Sequence, residues 1–218
     1  MQHKPLHQAL EELRTFIRQR LYNYFASAQD EKQMEQFPGW QHESLKHALT
    51  PPETVVLLCA LAVHFQPDFF DLCIQEFFPK GGEFPAFGGV KGSNTRYTLP
   101  TGDTVLFLLA GTDVQKRCGY FRLFGAAHWF GREHLLWLEA VKEGEPRWSG
   151  RLIVSNDLID LLAEGRLNDP LFGPEFPAKH MVTQQSWDDL VLPAATFQHL
   201  SDIKAWLSHN EAVLRDPV

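Results

Sequence analysis

Three features of this 218-residue chain predict a mostly helical α+β fold. Apolar residues recur at spacings of three and four over Leu6–Ala28. A nearly unbroken apolar segment follows Thr50. Two short alternating segments flank a Gly/Pro turn around Glu145. Hydrophobic residues make up 44% of the chain and charged residues 22%, which excludes wholesale disorder and a collagen-like repeat.

Leu6–Ala28 reads as one amphipathic helix whose stripe holds Leu10, Leu13, Ile17 and Leu21, with Tyr24 and Phe25 at its end. Arg14, Arg18 and Arg20 are expected to face away from that stripe, which needs a partner in this domain or on another chain. Gln29–Trp40, ending in Pro38-Gly39, reads as a polar connector. Thr50, Pro51 and Glu53 then occupy the N-cap, first and third positions of a helix, the pattern of a capping box. The helix runs to Phe65, is apolar nearly all round, and is expected at the centre of the core. A second helix is predicted over Asp68–Phe78, followed by Pro79-Lys80-Gly81-Gly82.

Glu83–Tyr97 reads as loop, with Gly88–Ser93 a flexible surface segment. Helices are predicted over Thr104–Ala110 and Asp113–Phe124, and strands over His134–Val141 and Arg151–Ser155. The alternation of Leu136, Leu138, Leu152 and Val154 predicts a paired ribbon with Gly144–Pro146 at its exposed tip. Asn156 is expected to cap a helix over Asp157–Ala163, stopped by Gly165. Asn168–Thr183 is Pro-rich and irregular, Trp187–Leu192 is a short extended or turn segment, and Thr196–Ser208 is a last amphipathic helix. Helices, then a ribbon, then a helix is the order of a winged-helix-like unit with a two-stranded wing. The expected division is residues 1–40 (long N-terminal helix and connector), 41–167 (winged-helix-like domain) and 168–218 (Pro-rich linker and terminal helix).

The net charge of -7 weighs against a protein that coats nucleic acid. Residues 91–151 alone carry an excess of three basic side chains, whereas residues 152–218 carry an excess of six acidic ones. Cys59, Cys73 and Cys118 sit in apolar runs and are expected as reduced, buried thiols. The longest apolar stretch, Val55–Phe65, falls short of the about 20 residues a membrane-spanning helix needs. With no export signal at the N-terminus, a cytoplasmic protein without a membrane span is expected.

Most motifs of chemistry fail on spacing. Gly88-Gly89-Val90-Lys91-Gly92-Ser93 lacks the G-x-x-x-x-G-K-[ST] order that places a lysine on phosphate at a helix start. His42-Glu43 and His47 miss the H-E-x-x-H interval, so the two histidines do not share a helix face. No G-x-S-x-G elbow occurs. Asp188 and Asp189 are adjacent and diverge, so one is expected to cap local backbone. No catalytic, cofactor-binding or metal-binding residue is assigned. The residues expected to contact a partner are Lys116, Arg117 and Arg122 on the Asp113–Phe124 helix, Arg147 and Arg151 in the wing, and Trp206 on the terminal helix. Phosphate contacts would need these cations free on one face. Glu143 and Glu145 in the same wing favour a solvated face or a protein-docking surface, and nucleic acid is the second reading.

Several uncommon strings stand in fixed order: Gly88-Gly89-Val90-Lys91-Gly92, Leu99-Pro100-Thr101-Gly102 with Ala110-Gly111, Glu143-Gly144-Glu145-Pro146-Arg147, and Ser149-Gly150-Arg151-Leu152. Trp187-Asp188-Asp189-Leu190-Val191-Leu192 follows, then Ile203-Lys204, Trp206-Leu207 and His209. Over residues 50–216 the chain thereby resembles the region preceding the ATPase module in a bacterial family of AAA+ ATP-binding proteins. That family includes the ATPases encoded with phage-tail-like extracellular contractile injection systems. The resemblance implies a winged-helix-containing N-terminal region whose W-D-D-L-V-L segment and following helix run into the ATPase module. With Val218 the last residue, the chain is expected to be the isolated N-terminal portion, as a fragment or a split gene product. ATP and Mg²⁺ are then expected only on the missing AAA+ module. The implied work is non-catalytic: recognition of a substrate or partner protein and regulation of the ATPase.

Overall fold

The computed structural model describes residues 4–26, 36–82, 84–94, 96–166, 184, 186, 189 and 191–215. The chain divides into two units, Met1–Asp169 and Pro170–Val218. The fold is α+β and mostly helical, and its sheets are small two-stranded ribbons.

In the first unit, helix α1 (Leu6–Phe25) lays Ala9, Leu10, Leu13, Ile17 and Leu21 against the core. The partner its stripe required is therefore within this domain. Arg20 differs from expectation. It faces inward, and its guanidinium donates to the carbonyls of Leu108 (2.9 Å) and Leu109 (3.2 Å). A cation there satisfies carbonyls that a helix C-terminus leaves without intrahelical partners. The end of the expected connector also belongs to the core: Phe37 and Trp40 are buried, and the Trp40 indole N–H donates to Lys4 O at 2.9 Å.

Helix α2 (Pro51–Phe65) is the centre of the core, with every residue from Glu53 to Val63 buried. Its capping box forms as the sequence predicts, Glu53 accepting from Thr50 N–H at 2.7 Å. Helix α3 (Phe69–Gln75) is shorter than predicted at both ends and buries Phe69, Phe70 and Cys73. Among the described residues no single helix is long and apolar enough to cross a membrane.

The predicted loop after α3 is more ordered than expected. A 3₁₀ turn (Pro85–Phe87) leads into β1 (Val90–Lys91), which pairs antiparallel with β2 (Thr98–Leu99). Gly88, at φ 71°, packs so closely that a Cβ would stand 2.9 Å from Thr104 N, and Gly89 N–H donates to Thr101 Oγ1 at 3.2 Å. The glycines permit a tight turn to seat on the start of the next helix; they do not make a flexible surface loop.

Helix α4 (Gly102–Ala110) has Thr101 as N-cap. After Gly111-Thr112-Asp113 comes α5 (Val114–Tyr120), which buries no residue and continues as a 3₁₀ turn over Phe121–Phe124. The single helix predicted over Asp113–Phe124 is thus two pieces. Cys118 is exposed, correcting the expectation of burial, while Cys59 and Cys73 are buried and unpaired. Desolvation pushes the Cys73 thiol up to about 11. A short helix, α6 (Trp129–Arg132), precedes β3 (Leu136–Leu138), and β4 (Leu152–Val154) pairs with it antiparallel. Leu136 faces Val154 and Leu138 faces Leu152, the predicted alternation in strands shorter than expected. Arg147–Ser149 forms a 3₁₀ turn inside the ribbon loop. An isolated antiparallel bridge joins Thr101 to Arg151, so the outer side of β4 runs beside the segment that leads into α4. Helix α7 (Asn156–Glu164) is capped by Ser155, one residue before the predicted Asn156, and ends at left-handed Gly165.

In the second unit, helix α8 (Ala194–Arg215) extends beyond the predicted limits. Phe197, Ile203, Trp206 and Leu207 are exposed. Asp189 accepts from Ser186 N–H (2.7 Å) and Ser186 Oγ (3.0 Å), the local cap expected of one of the adjacent aspartates. Asp188 and the Asn168–Thr183 segment lie outside the described residues.

Candidate docking surface

The predicted contact residues fall on α5, the turn after it and the β3–β4 ribbon loop of the first unit, and on α8 of the second. The helices α4 and α5 are joined by the short segment Gly111-Thr112-Asp113. Asp113 caps α5 by accepting from Lys116 N–H at 3.0 Å, and the Lys116 ammonium lies 3.5 Å from the same carboxylate. Arg117 reaches back to Asp103 on the first turn of α4, at 2.6 Å. At the end of the β3–β4 ribbon, Arg151 grips Glu139 with two parallel hydrogen bonds, Nε to Oε2 at 2.6 Å and Nη2 to Oε1 at 2.5 Å. This fork geometry holds the Glu139 carboxyl below its ordinary range.

Arg122 and Arg147 are different. Neither has a carboxylate partner among the described residues. The Arg147 guanidinium lies 5.1 Å over the Trp148 ring. Trp148 in turn stacks on Phe121 at 4.5 Å and 19°, and lies 5.7 Å from Phe124. This aromatic stack, invisible in periodicity, ties the wing to the turn that carries Arg122. Trp206 is exposed on α8, in the other unit.

Close backbone approach fixes the same junction. A Cβ on Gly102 would meet Trp148 O at 2.8 Å, and one on Gly150 would meet Glu139 O at 2.2 Å. Both glycines belong to the uncommon strings read in the sequence, and close packing accounts for them.

A second cluster went unread. Glu53, buried at the start of α2, also accepts from the Trp129 indole N–H at 2.7 Å and lies 3.0 Å from His128 Nε2. His47 pairs with Glu133 at 2.6 Å and packs on the Trp129 ring at 4.5 Å. The two histidines bracket α6 but do not converge. Among the described residues no three His, Cys, Asp or Glu side chains gather as a metal site.

The Gly88–Ser93 segment does not fit ATP. Lys91 Nζ is engaged by Asp71 Oδ1 and Thr98 Oγ1, each at 2.9 Å, and Asp71 also accepts from Thr98 N–H at 2.7 Å. The lysine fastens the β1–β2 ribbon to α3, and the glycines ahead of it are filled by the α4 N-terminus.

Comparison with family models, curated proteins and solved structures yields no match to this chain.

Proposed function

We propose that this chain is a non-catalytic protein-docking and regulatory region of an AAA+ ATP-binding protein. The observation that carries the docking reading is the state of its cations. Of the five cations singled out in the sequence, Lys116, Arg117 and Arg151 each meet a carboxylate of the chain itself, which leaves two of the five open to a phosphate backbone. Nucleic-acid binding draws on several unneutralised cations at once. Of those five, Arg122 and Arg147 remain open, and Arg147 lies over an aromatic stack, the mixture of Arg, Trp and Phe that protein interfaces favour.

The order α2, Thr101 bridge, α4, α5, β3, wing, β4 supports a winged-helix assignment. The AAA+ assignment, its link to contractile injection systems and the cytoplasmic location rest on the sequence resemblance. A winged-helix nucleic-acid-binding module is the competing reading.

Two experiments test the proposal. A photo-cross-linking residue in place of Arg122, in the producing cell, is expected to yield protein adducts; nucleic-acid adducts instead would overturn the docking reading. The encoding DNA downstream of codon 218 is expected to specify a G-x-x-x-x-G-K-[ST] loop, in frame or in the adjoining gene. Its absence from both would remove the AAA+ assignment.

A further inference from the structure

A groove of about 360 Å³ lies beside the β3–β4 ribbon, and its floor and rim differ. The floor is closed: Leu136 is buried and Leu138 packs on the core, so neither offers a surface to a partner. The rim is exposed. It carries Trp137, which is 42% exposed, and Arg147 of the ribbon loop.

Arg147 is a cation held in place without a counter-charge. Its guanidinium lies 5.1 Å from the centre of the Trp148 ring, and Phe121 stacks on the same ring at 4.5 Å and 19°. Ser149 N–H and Ser149 Oγ both donate to Pro146 O, at 3.0 Å and 2.7 Å, which closes the 3₁₀ turn that presents the arginine. The close approach of Gly102 to Trp148 O seats that turn on the start of α4. Stacking takes the flat face of a guanidinium and leaves the N–H groups along its edge to donate. Among the described residues no carboxylate meets them. Glu139 is the one carboxylate in the groove lining, and Arg151 occupies both of its oxygens. His134, the other ionisable group there, can only add positive charge. The groove's uncancelled charge is therefore positive, and an exposed indole shares its rim.

We propose that this rim reads a carboxylate beside a large apolar side chain on a partner protein. The carboxylate forks onto Arg147, and the apolar side chain rests on Trp137. No main-chain pairing is involved. The inference rests on the protein-docking reading and names the partner's chemistry. Charge complementarity selects an acidic partner, and Arg147, already held by its stack, loses little freedom when the carboxylate arrives. Arginine and tryptophan are also the side chains on which binding energy concentrates at interfaces.

The test is fluorescence anisotropy on the full chain. The probe is a labelled, end-capped peptide of serine and glycine with one leucine–glutamate pair at its centre. One control replaces the glutamate by glutamine; the other replaces the leucine by serine. Saturable binding of the probe is expected below about 1 mM. The glutamine control and Arg147→Gln are each expected to weaken it by about tenfold. Arg147→Lys keeps the charge without the fork, and is expected to restore only part of the affinity. Trp137→Ser is expected to bind the probe no better than the serine control. Arg147 and Trp137 are exposed, so these variants are expected to unfold at the temperature of the parent chain.

Failure of the probe to bind, equal affinity for either control, or full affinity in Arg147→Gln overturns the rim proposal and leaves the docking reading in place. Full recovery by Arg147→Lys assigns the site to charge alone and also overturns it. Duplex DNA binding that Arg147→Gln abolishes would overturn the docking reading itself.

Discussion

The Trp129 indole N–H donates to the buried carboxylate of Glu53 at 2.7 Å, joining residues 76 positions apart. Glu53 closes the capping box of α2 with the same carboxylate, so one side chain both starts the central helix and fastens α6 to it. Burial opposes its charge. The Thr50 hydroxyl and N–H, the Trp129 indole and the nearby His128 outweigh that and hold the carboxyl below its ordinary 4.5.

A carboxyl depressed in the folded state lends stability that is complete above its unfolded value and lost as pH falls through the folded one. The first unit is therefore expected to lose stability progressively below pH 4.5. Asp71, lowered by its bonds to Thr98 and Lys91 despite desolvation, adds to the same trend. Glu53→Gln presents an amide N–H₂ toward donors and is expected to cost about 1–3 kcal/mol at neutral pH. It should also flatten the acid limb. Urea unfolding of both chains across pH 3 to 7 checks both.

Arg20 spans from α1 to the C-terminal carbonyls of α4. Arg20→Met keeps the apolar stem and removes the donors. It is expected to destabilise the chain by about 1.5–3 kcal/mol, the range for hydrogen bonds to a charged group. Chemical denaturation at neutral pH reads this directly.

Gly150 has an ordinary φ of -61°, so its requirement is space and not backbone conformation. Because an added Cβ would stand 2.2 Å from Glu139 O, Gly150→Ala is expected to push β4 and the wing loop apart. The cost is expected to be about 1–3 kcal/mol, as for overpacking. The same substitution at Gly144, where nothing lies within reach of the added atom but φ is 89°, should cost only the backbone strain, about 1–2 kcal/mol. Thermal unfolding of both variants compares the two mechanisms.

Phe197, Ile203, Trp206 and Leu207 stand exposed on α8, whereas Leu57–Leu61 of α2 are wholly or almost wholly buried. Amides at 203–207 are expected to exchange with solvent far faster than those at 57–61. Hydrogen exchange followed by mass spectrometry checks this. Equal protection would mean that α8 has a packing partner.

Much of the framework was legible where one local signal decided the structure. The Thr50–Glu53 capping box, the all-apolar α2 and the Leu136/Leu138 against Leu152/Val154 alternation each rest on residues close in sequence. Long-range satisfaction was not legible. Nothing in the spacing of Arg20 announced a partner at Leu108, and an arginine off the apolar stripe reads as solvated until the α4 carbonyls are placed beside it. The Gly88–Gly89 turn read as flexible because its constraint comes from Thr101 and Thr104 across the ribbon. Of the contact residues, the sequence located the cations, but which of them were already neutralised depended on Asp103, Asp113 and Glu139 meeting them in space. The Trp148–Phe121 stack, joining two elements each without periodicity, left no sequence signal.

The central claim, that this surface serves protein docking because three of its five candidate contact cations already meet carboxylates of the chain, is most directly tested by titrating the chain into a labelled DNA duplex at 50 mM and 200 mM salt. The account predicts no saturable binding at micromolar protein even at the lower salt. Saturable binding whose affinity falls steeply as salt rises, the signature of released phosphate counterions, would contradict it.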